Sequence, residues 1–135
     1  LVHVAEIQVR WGDHDALGHV NAAKYFTYFE QARADWMRVH GLTIRTDQGP
    51  VLAKTSCAFR RPIFYPGDVR VEIHSAPPER LSLTTTYRIL DQDGTLCAEG
   101  EGIVVWFDFA ANRPIRFPSE MIEKLISPFR EPESR

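Results

Sequence analysis

One long amphipathic helix, set between a single early strand and a run of later ones, narrows the possible folds of this chain more than any other feature. From Ala22 to His40, apolar residues fall at 22, 25, 26, 29, 32, 36, 37 and 39, the spacing that gathers one face of a helix. Asn21 stands at the N-cap and Gly41 just past the last turn, where a left-handed residue is favoured. At 1.5 Å per residue the rod spans about 28 Å. Such a rod needs a wide apolar surface to lie on, and a curved antiparallel sheet supplies one.

The rest of the chain alternates as strands do. Ala5, Ile7 and Val9 alternate with polar residues within 2–10, and a mixed strand over 51–61 ends at Arg60-Arg61-Pro62. Val69, Val71 and Ile73 oppose Arg70, Glu72 and His74, and Leu81 to Ile89 alternates in the same way. The last strand, 95–107, contains Gly100 and Gly102, which predict a bulge or bend. Tyr65-Pro66-Gly67-Asp68 predicts a type II turn, Pro77-Pro78 a break, and Asp91-Gln92-Asp93-Gly94 a hairpin. A short helix near 119–126 closes one domain over residues 1–129, with 130–135 expected to be a disordered tail. The result is an α+β class: one long central helix and a curved five-stranded antiparallel sheet. Its open edges invite pairing with a second copy.

Composition serves mainly to exclude. At 135 residues the chain buries a core without staples. Its two cysteines, Cys57 and Cys97, form no CxxC pair, both lie in strand-like segments as small thiols, and no spacing of His, Asp or Glu makes a metal site. No metal and no cofactor are expected. His3, His40 and His74 read as ordinary surface or helix-end residues. A net charge of -2 argues against nucleic acid as a partner. No run approaches the roughly 20 apolar residues of a membrane span, and no leader pattern opens the chain, so a soluble, cytoplasmic protein is expected. Of the 16 cations, 13 are arginine, a side chain whose fork suits phosphate and carboxylate.

Chemistry concentrates in Trp11-Gly12-Asp13-His14-Asp15-Ala16-Leu17-Gly18-His19-Val20-Asn21, directly ahead of the helix. The unpaired N–H groups of a helix N-terminus favour an oxyanion. A carboxylate beside them can act as nucleophile or as general base toward water. Asp13 suits bonding to loop backbone, and Gly18 suits a positive φ. His19 either orients a carboxylate or satisfies backbone groups. Asn21 is a cap, and Tyr25 a core residue whose hydroxyl could reach a site. Glu30 and Arg33 lie too far along the helix to touch the same carbonyl.

This segment, with Glu30, Ala32 and Arg33 after it, resembles the aromatic-x-Asp-x-Asp-x-x-Gly-His-Val-Asn-x-x-x-Tyr signature of hotdog thioesterases related to hydroxybenzoyl-CoA thioesterase. The resemblance extends over most of the chain, through Tyr65–Asp68, the Asp93-Gly94 hairpin and Asn112 to Pro118. It implies a hotdog fold and hydrolysis of an acyl-CoA to free acid and coenzyme A, with Asp15 catalytic and the Ala22 N–H polarising the thioester carbonyl. His19 joins them, with Gly18, Asn21 and Tyr25 on the substrate. The founding enzyme carries an aromatic residue where this chain has Ala22 and lacks His19; the chain follows the subgroup with Gly-His-Val-Asn, whose substrates are often fatty or aryl acyl-CoA. The resemblance also places phosphate contacts at the exit of the last strand, at Arg113 and Arg116, with Arg60, Arg61 and Arg80 as weaker candidates. It implies a site formed between two subunits, hence a homodimer or homotetramer. Two alternatives stay open: a hotdog hydratase or dehydratase, whose Asp-x-Asn-x-x-His string is absent, and a non-catalytic acyl-CoA binder.

Overall fold

The computed structural model describes residues 1–41 and 47–130. Strand β1 (His3–Gln8) leads into helix α1 (Ala22–Val39) through a loop that begins with a short 3-10 turn, Trp11–Asp13. Strands β2 (Gln48–Phe59), β3 (Asp68–Ser75), β4 (Ser82–Leu90), β5 (Leu96–Asp108) and β6 (Arg113–Ile115) follow, and helix α2 (Ser119–Leu125) closes the order. The sheet runs β1-β3-β4-β5-β2, antiparallel at every pairing, with β6 beside the end of β5. Six strands form instead of five, because Arg113–Ile115 adds a strand too short to leave an alternation signal. The tail expected over 130–135 lies outside the described residues, save Arg130.

The caps of α1 explain its limits. The Asn21 side chain accepts from the Ala23 N–H at 2.9 Å, and Gly41 follows the last turn at φ +81°. Its inner face buries Tyr25, Tyr28, Phe29, Ala32, Trp36 and Met37 against the sheet. Tyr28 lies outside the apolar pattern read from sequence, and Val39 inside it is exposed. Over these rings the sheet contributes Val69, Val71, Ile73, Leu83, Tyr87, Ile89, Val104 and Trp106.

Three expectations need correction. No bulge falls at Gly100 or Gly102: pairing to β2 and β4 passes both without a shift, and the irregularities fall between Leu52 and Lys54 and between Ile89 and Leu90. The two glycines make room instead. A Cβ at Gly100 would meet Phe29, and one at Gly102 would press on Thr85 and Tyr87. Tyr65-Pro66-Gly67-Asp68 does not form a type II turn; Gly67 sits at φ +157°, far from the roughly +80° that turn needs, and its carbonyl is held by the Val9 N–H at 2.9 Å. His3 is not a surface residue either. It is buried, and its Nε2 bonds Asp35 Oδ2 at 2.8 Å, tying β1 to α1. The Asp91–Gly94 hairpin forms as expected, with Asp91 Oδ1 accepting from Asp93 and Thr95 N–H and Gly94 at φ +80°. Among the described residues no helix is long and apolar enough to cross a membrane, and no three His, Cys, Asp or Glu side chains gather as a metal ion requires.

Candidate active site

The loop ahead of α1 is a folded unit. His14 and Val20 bridge as antiparallel partners. Within them the Asp15 carbonyl accepts from the Gly18 N–H at 3.1 Å, and the Asp15 N–H donates to the His19 carbonyl at 2.8 Å. Gly18, at φ +84°, closes this tight hairpin in the left-handed region that a side chain disfavours. Two further ties fix it to the body: Val20 N–H to the Ile63 carbonyl at 2.8 Å, and Asn21 N–H to the Asp13 carbonyl at 2.9 Å.

The two aspartates do different work. Asp13 is buried, and its Oδ2 accepts from the Arg10 N–H at 3.0 Å and from the Tyr28 hydroxyl at 2.9 Å. Burial raises its pKa, but those bonds and the charges of Arg10 and Lys24 outweigh burial and hold it below the ordinary 3.8. Asp13 therefore pins the loop to α1. Its ionised form stabilises the fold, so that contribution is complete above about pH 4 and is lost as pH falls through the depressed value. Asp13→Asn should cost about 1–3 kcal/mol in urea unfolding at neutral pH and should flatten the acid limb of stability. An unchanged acid limb would remove this role.

Asp15 is half-buried. Its Oδ1 accepts from the Leu17 N–H at 2.9 Å, and its other oxygen has no partner among the described residues. It opens on a cleft of about 330 Å³ together with His19, Val20, Ala22, Tyr25, Phe59, Arg60, Arg61 and Pro62. At the same cleft α1 begins. The Ala23 N–H goes to Asn21 Oδ1 and the Lys24 N–H to the Asn21 carbonyl, each at 2.9 Å, while the Ala22 N–H has no partner among the described residues. A carboxylate and a helix-end N–H, each with bonding capacity unused among the described residues, thus border one open space.

The other expected residues divide. His19 lines the cleft with its ring edge-on to Phe64, centroids 5.3 Å apart. Tyr25 is buried, packs edge-on against Phe59, and its hydroxyl donates to the Arg61 carbonyl at 3.4 Å; burial raises its pKa. Asn21 serves as the cap. Cys57 is half-buried and Cys97 buried, and burial pushes the Cys57 thiol up to about 11, so neither is a ready nucleophile. Phe59 was not legible as a site residue; only the pairing that sets it opposite Ala98 brings it over Tyr25.

A family model described as the thioesterase-like superfamily matches residues 9–125, which include the whole loop and both long strands. The chain belongs to the thioesterase-like superfamily. It is accordingly a thioester hydrolase. Across 120 residues, covering 86% of this chain and 90% of the relative, it is 25% identical to the acyl-CoA thioester hydrolase YbgC of Escherichia coli. The PA2801 protein of Pseudomonas aeruginosa superposes with a TM-score of 0.84 at 32% identity, covering 89% of this chain and 95% of that one. Slr0204 of Synechocystis, a 1,4-dihydroxy-2-naphthoyl-CoA thioesterase, reaches 0.84 at 18% identity, with 93% and 98% covered, a likeness of fold. The α+β hotdog architecture is thereby shown.

On this thioesterase-like chain the two phosphate candidates sit far from Asp15. Arg113 and Arg116 are exposed at β6, which pairs with Trp106–Asp108, whereas the cleft lies where Phe59 meets Ala98. Eight residues of strand separate those points, about 27 Å at 3.4 Å per residue. Arg60 and Arg61 border the cleft instead. Arg60 Nη2 is paired with Glu99 at 3.1 Å, and Arg61 has no carboxylate partner among the described residues.

Proposed function

We propose that the chain hydrolyses acyl-CoA thioesters to free acid and coenzyme A, with Asp15 as nucleophile or general base and the Ala22 N–H as oxyanion donor. The observation that carries this reading is that Asp15, with one oxygen unpartnered among the described residues, lines the same cleft as Ala22, whose N–H at the start of α1 is likewise unpartnered among them. In the nucleophilic route the carboxylate oxygen attacks the thioester carbon, the sulfur leaves as coenzyme A thiolate, and water then hydrolyses the mixed anhydride to free acid and regenerated Asp15. In the general-base route it takes a proton from the attacking water. Both routes place negative charge on the carbonyl oxygen, where the amide stabilises it. His19 and Tyr25 line the same cleft, while Gly18 and Asn21 hold the loop and the helix start that border it. The YbgC relative is named for acyl-CoA hydrolysis, which supports coenzyme A as the carrier.

The site is completed by a second copy, in a homodimer or a dimer of dimers. In a pair joined along the β2 edges, the far end of one sheet lies beside the cleft of the other. Arg113 and Arg116 of one copy then serve the phosphates of substrate held by the other. Replacing both by alanine should raise KM for acyl-CoA far more than it lowers kcat, the pattern of lost uniform binding. Acyl-pantetheine, which lacks the nucleotide phosphates, should be indifferent. Equal damage with both substrates would mean the arginines act on structure.

Free-thiol release from a panel of fatty and aryl acyl-CoAs tests the function directly. Release with at least one acyl group supports hydrolysis. Hydration of an enoyl-CoA without thiol release would move the chain to the hydratases, and binding with neither reaction would leave a non-catalytic carrier.

A further inference from the structure

The two ends of α1 border different spaces. Its start meets the Asp15 cleft, and its last turn meets a second cavity of about 520 Å³, between the start of β1 and residues 127–130. Val39 ends the helix that Ala22 begins, and at 1.5 Å per residue the two lie about 26 Å apart. The two spaces are therefore separate. The second is large enough to hold a small organic molecule. Val2, Val4, Val39, Pro128 and Phe129 give it apolar walls. Val39 belongs to the apolar pattern of the helix, yet is left 58% exposed.

Charge in this cavity is unbalanced. Among the described residues that line it, Asp35 is the one carboxylate. Both its oxygens are answered, Oδ2 by His3 Nε2 at 2.8 Å and Oδ1 by Arg38 Nη2 at 2.7 Å. Burial raises its pKa, but those two partners outweigh burial and hold it below the ordinary 3.8, so the charge is present and already paired. Arg38, in the last turn, also meets the negative end of the helix. His40 and Arg130 remain at the rim, and Arg130 has no carboxylate partner among the described residues. Burial lowers the His40 pKa, and His3 and Lys124 lower it further, as positive surroundings do. His3 supplies what a surface hollow lacks. The residue is 5% exposed yet lines the cavity, and its Nδ1 has no partner among the described residues. With Nε2 spent on Asp35, that nitrogen accepts from the O–H of an acid or, having taken the proton, donates to the carboxylate.

We propose that this cavity binds a small monocarboxylate with an apolar, ring-sized body. Its head lies among His3, His40 and Arg130, whose fork suits a carboxylate. Its body lies against Val39 and Phe129, whose ring already stands edge-on to His3 with centroids 5.9 Å apart. A cation of the same shape would meet only Asp35, which is held from two sides. A bare inorganic anion would leave the apolar walls wet. One negative charge on an apolar body satisfies both. Nothing at this site uses Asp15, so it stands whether or not the cleft hydrolyses thioesters.

Phenylbutyrate is the probe, with phenylbutyramide and phenylbutylamine as neutral and cationic analogues of nearly the same shape. Calorimetric titration of the whole chain at neutral pH should show saturable binding of the acid, with Kd about 1 mM or tighter, as suits a ligand of this size. The amide and the amine should bind at least about tenfold more weakly, because the charge-assisted bonds to the head are lost. Backbone amide resonances should move at residues 2–4, 38–40 and 127–130 and stay in place at 15–22. Arg130→Glu should weaken the acid at least about tenfold, since a like charge then faces the head. Val39→Trp should abolish binding of all three by filling the cavity. Both residues are exposed, so each variant should melt as the unaltered chain does. An amide or amine that binds as well as the acid would overturn the proposal. So would resonances that move at 15–22 instead of at the cavity, no saturation by about 10 mM, or an unchanged affinity in both variants.

Discussion

Asp15→Asn should lower kcat by at least about a hundredfold with KM little changed, since loss of a general base alone costs about 10²–10⁴ in rate. Asparagine keeps the shape of the side chain. Its oxygen can still accept from the Leu17 N–H that now holds Oδ1, so the hairpin of residues 14–20 survives and substrate still binds. What disappears is the charge of a carboxylate that lines the same cleft as Ala22. Asp13→Asn is the informative control. Its carboxylate is spent on Arg10 and Tyr28, so damage there should fall on stability before turnover. Steady-state thiol release, with melting of each variant, separates the two. If Asp15→Asn keeps most of its turnover while Asp13→Asn or His19→Ala loses it, the proposed assignment of roles is wrong.

Gly100→Ala should destabilise the fold by about 1–3 kcal/mol, the usual cost of overpacking a filled core. The added methyl would collide with Cε2 and Cζ of Phe29, the latter at 2.5 Å, and would press on the Ser56 carbonyl at 3.1 Å. Phe29 cannot step aside cheaply, because its ring is buried and stacked on Tyr87 with centroids 4.8 Å apart. Phe29→Leu in the same chain should recover part of the loss, so the double variant costs less than the two singles together. Urea midpoints of the four proteins test this. Strict additivity would show that the glycine is not there to admit the ring.

Local chemistry made part of this molecule legible in advance. Asn21, Gly41 and the apolar period mark α1 because caps and periodicity act within a few residues of one another. The Asp91–Gly94 hairpin is readable for the same reason. Gly100 and Gly102 were misread because a glycine in a strand has two physical causes, a bulge or a close approach, and only the position of Phe29 decides between them. His3 was misread because its partner, Asp35, lies 32 residues away on another element. Tyr28 broke the apolar pattern, yet its hydroxyl is needed by Asp13. At the site, the loop with Asp13, Asp15, Gly18 and His19 could be found from sequence because its parts are contiguous. Phe59 arrives only through strand register, and the distance from Arg113 and Arg116 to the cleft is set by pairing along the whole of β5.

The unequal edges of the sheet bear on polymerisation. β2 offers 12 residues of edge, whereas β1 offers six, with Glu6 salt-bridged to Arg70 at 3.3 Å and the Phe129 N–H bonded to the Leu1 carbonyl near its start. Charged and short edges resist further strand addition. Were two copies to join along β2, the β1 edges and the three residues of β6 would remain outward, none of them a long edge to template the next addition. Concentrating the protein should therefore leave light scattering low, and a variant that lengthened or neutralised the β1 edge would be the one to form fibres.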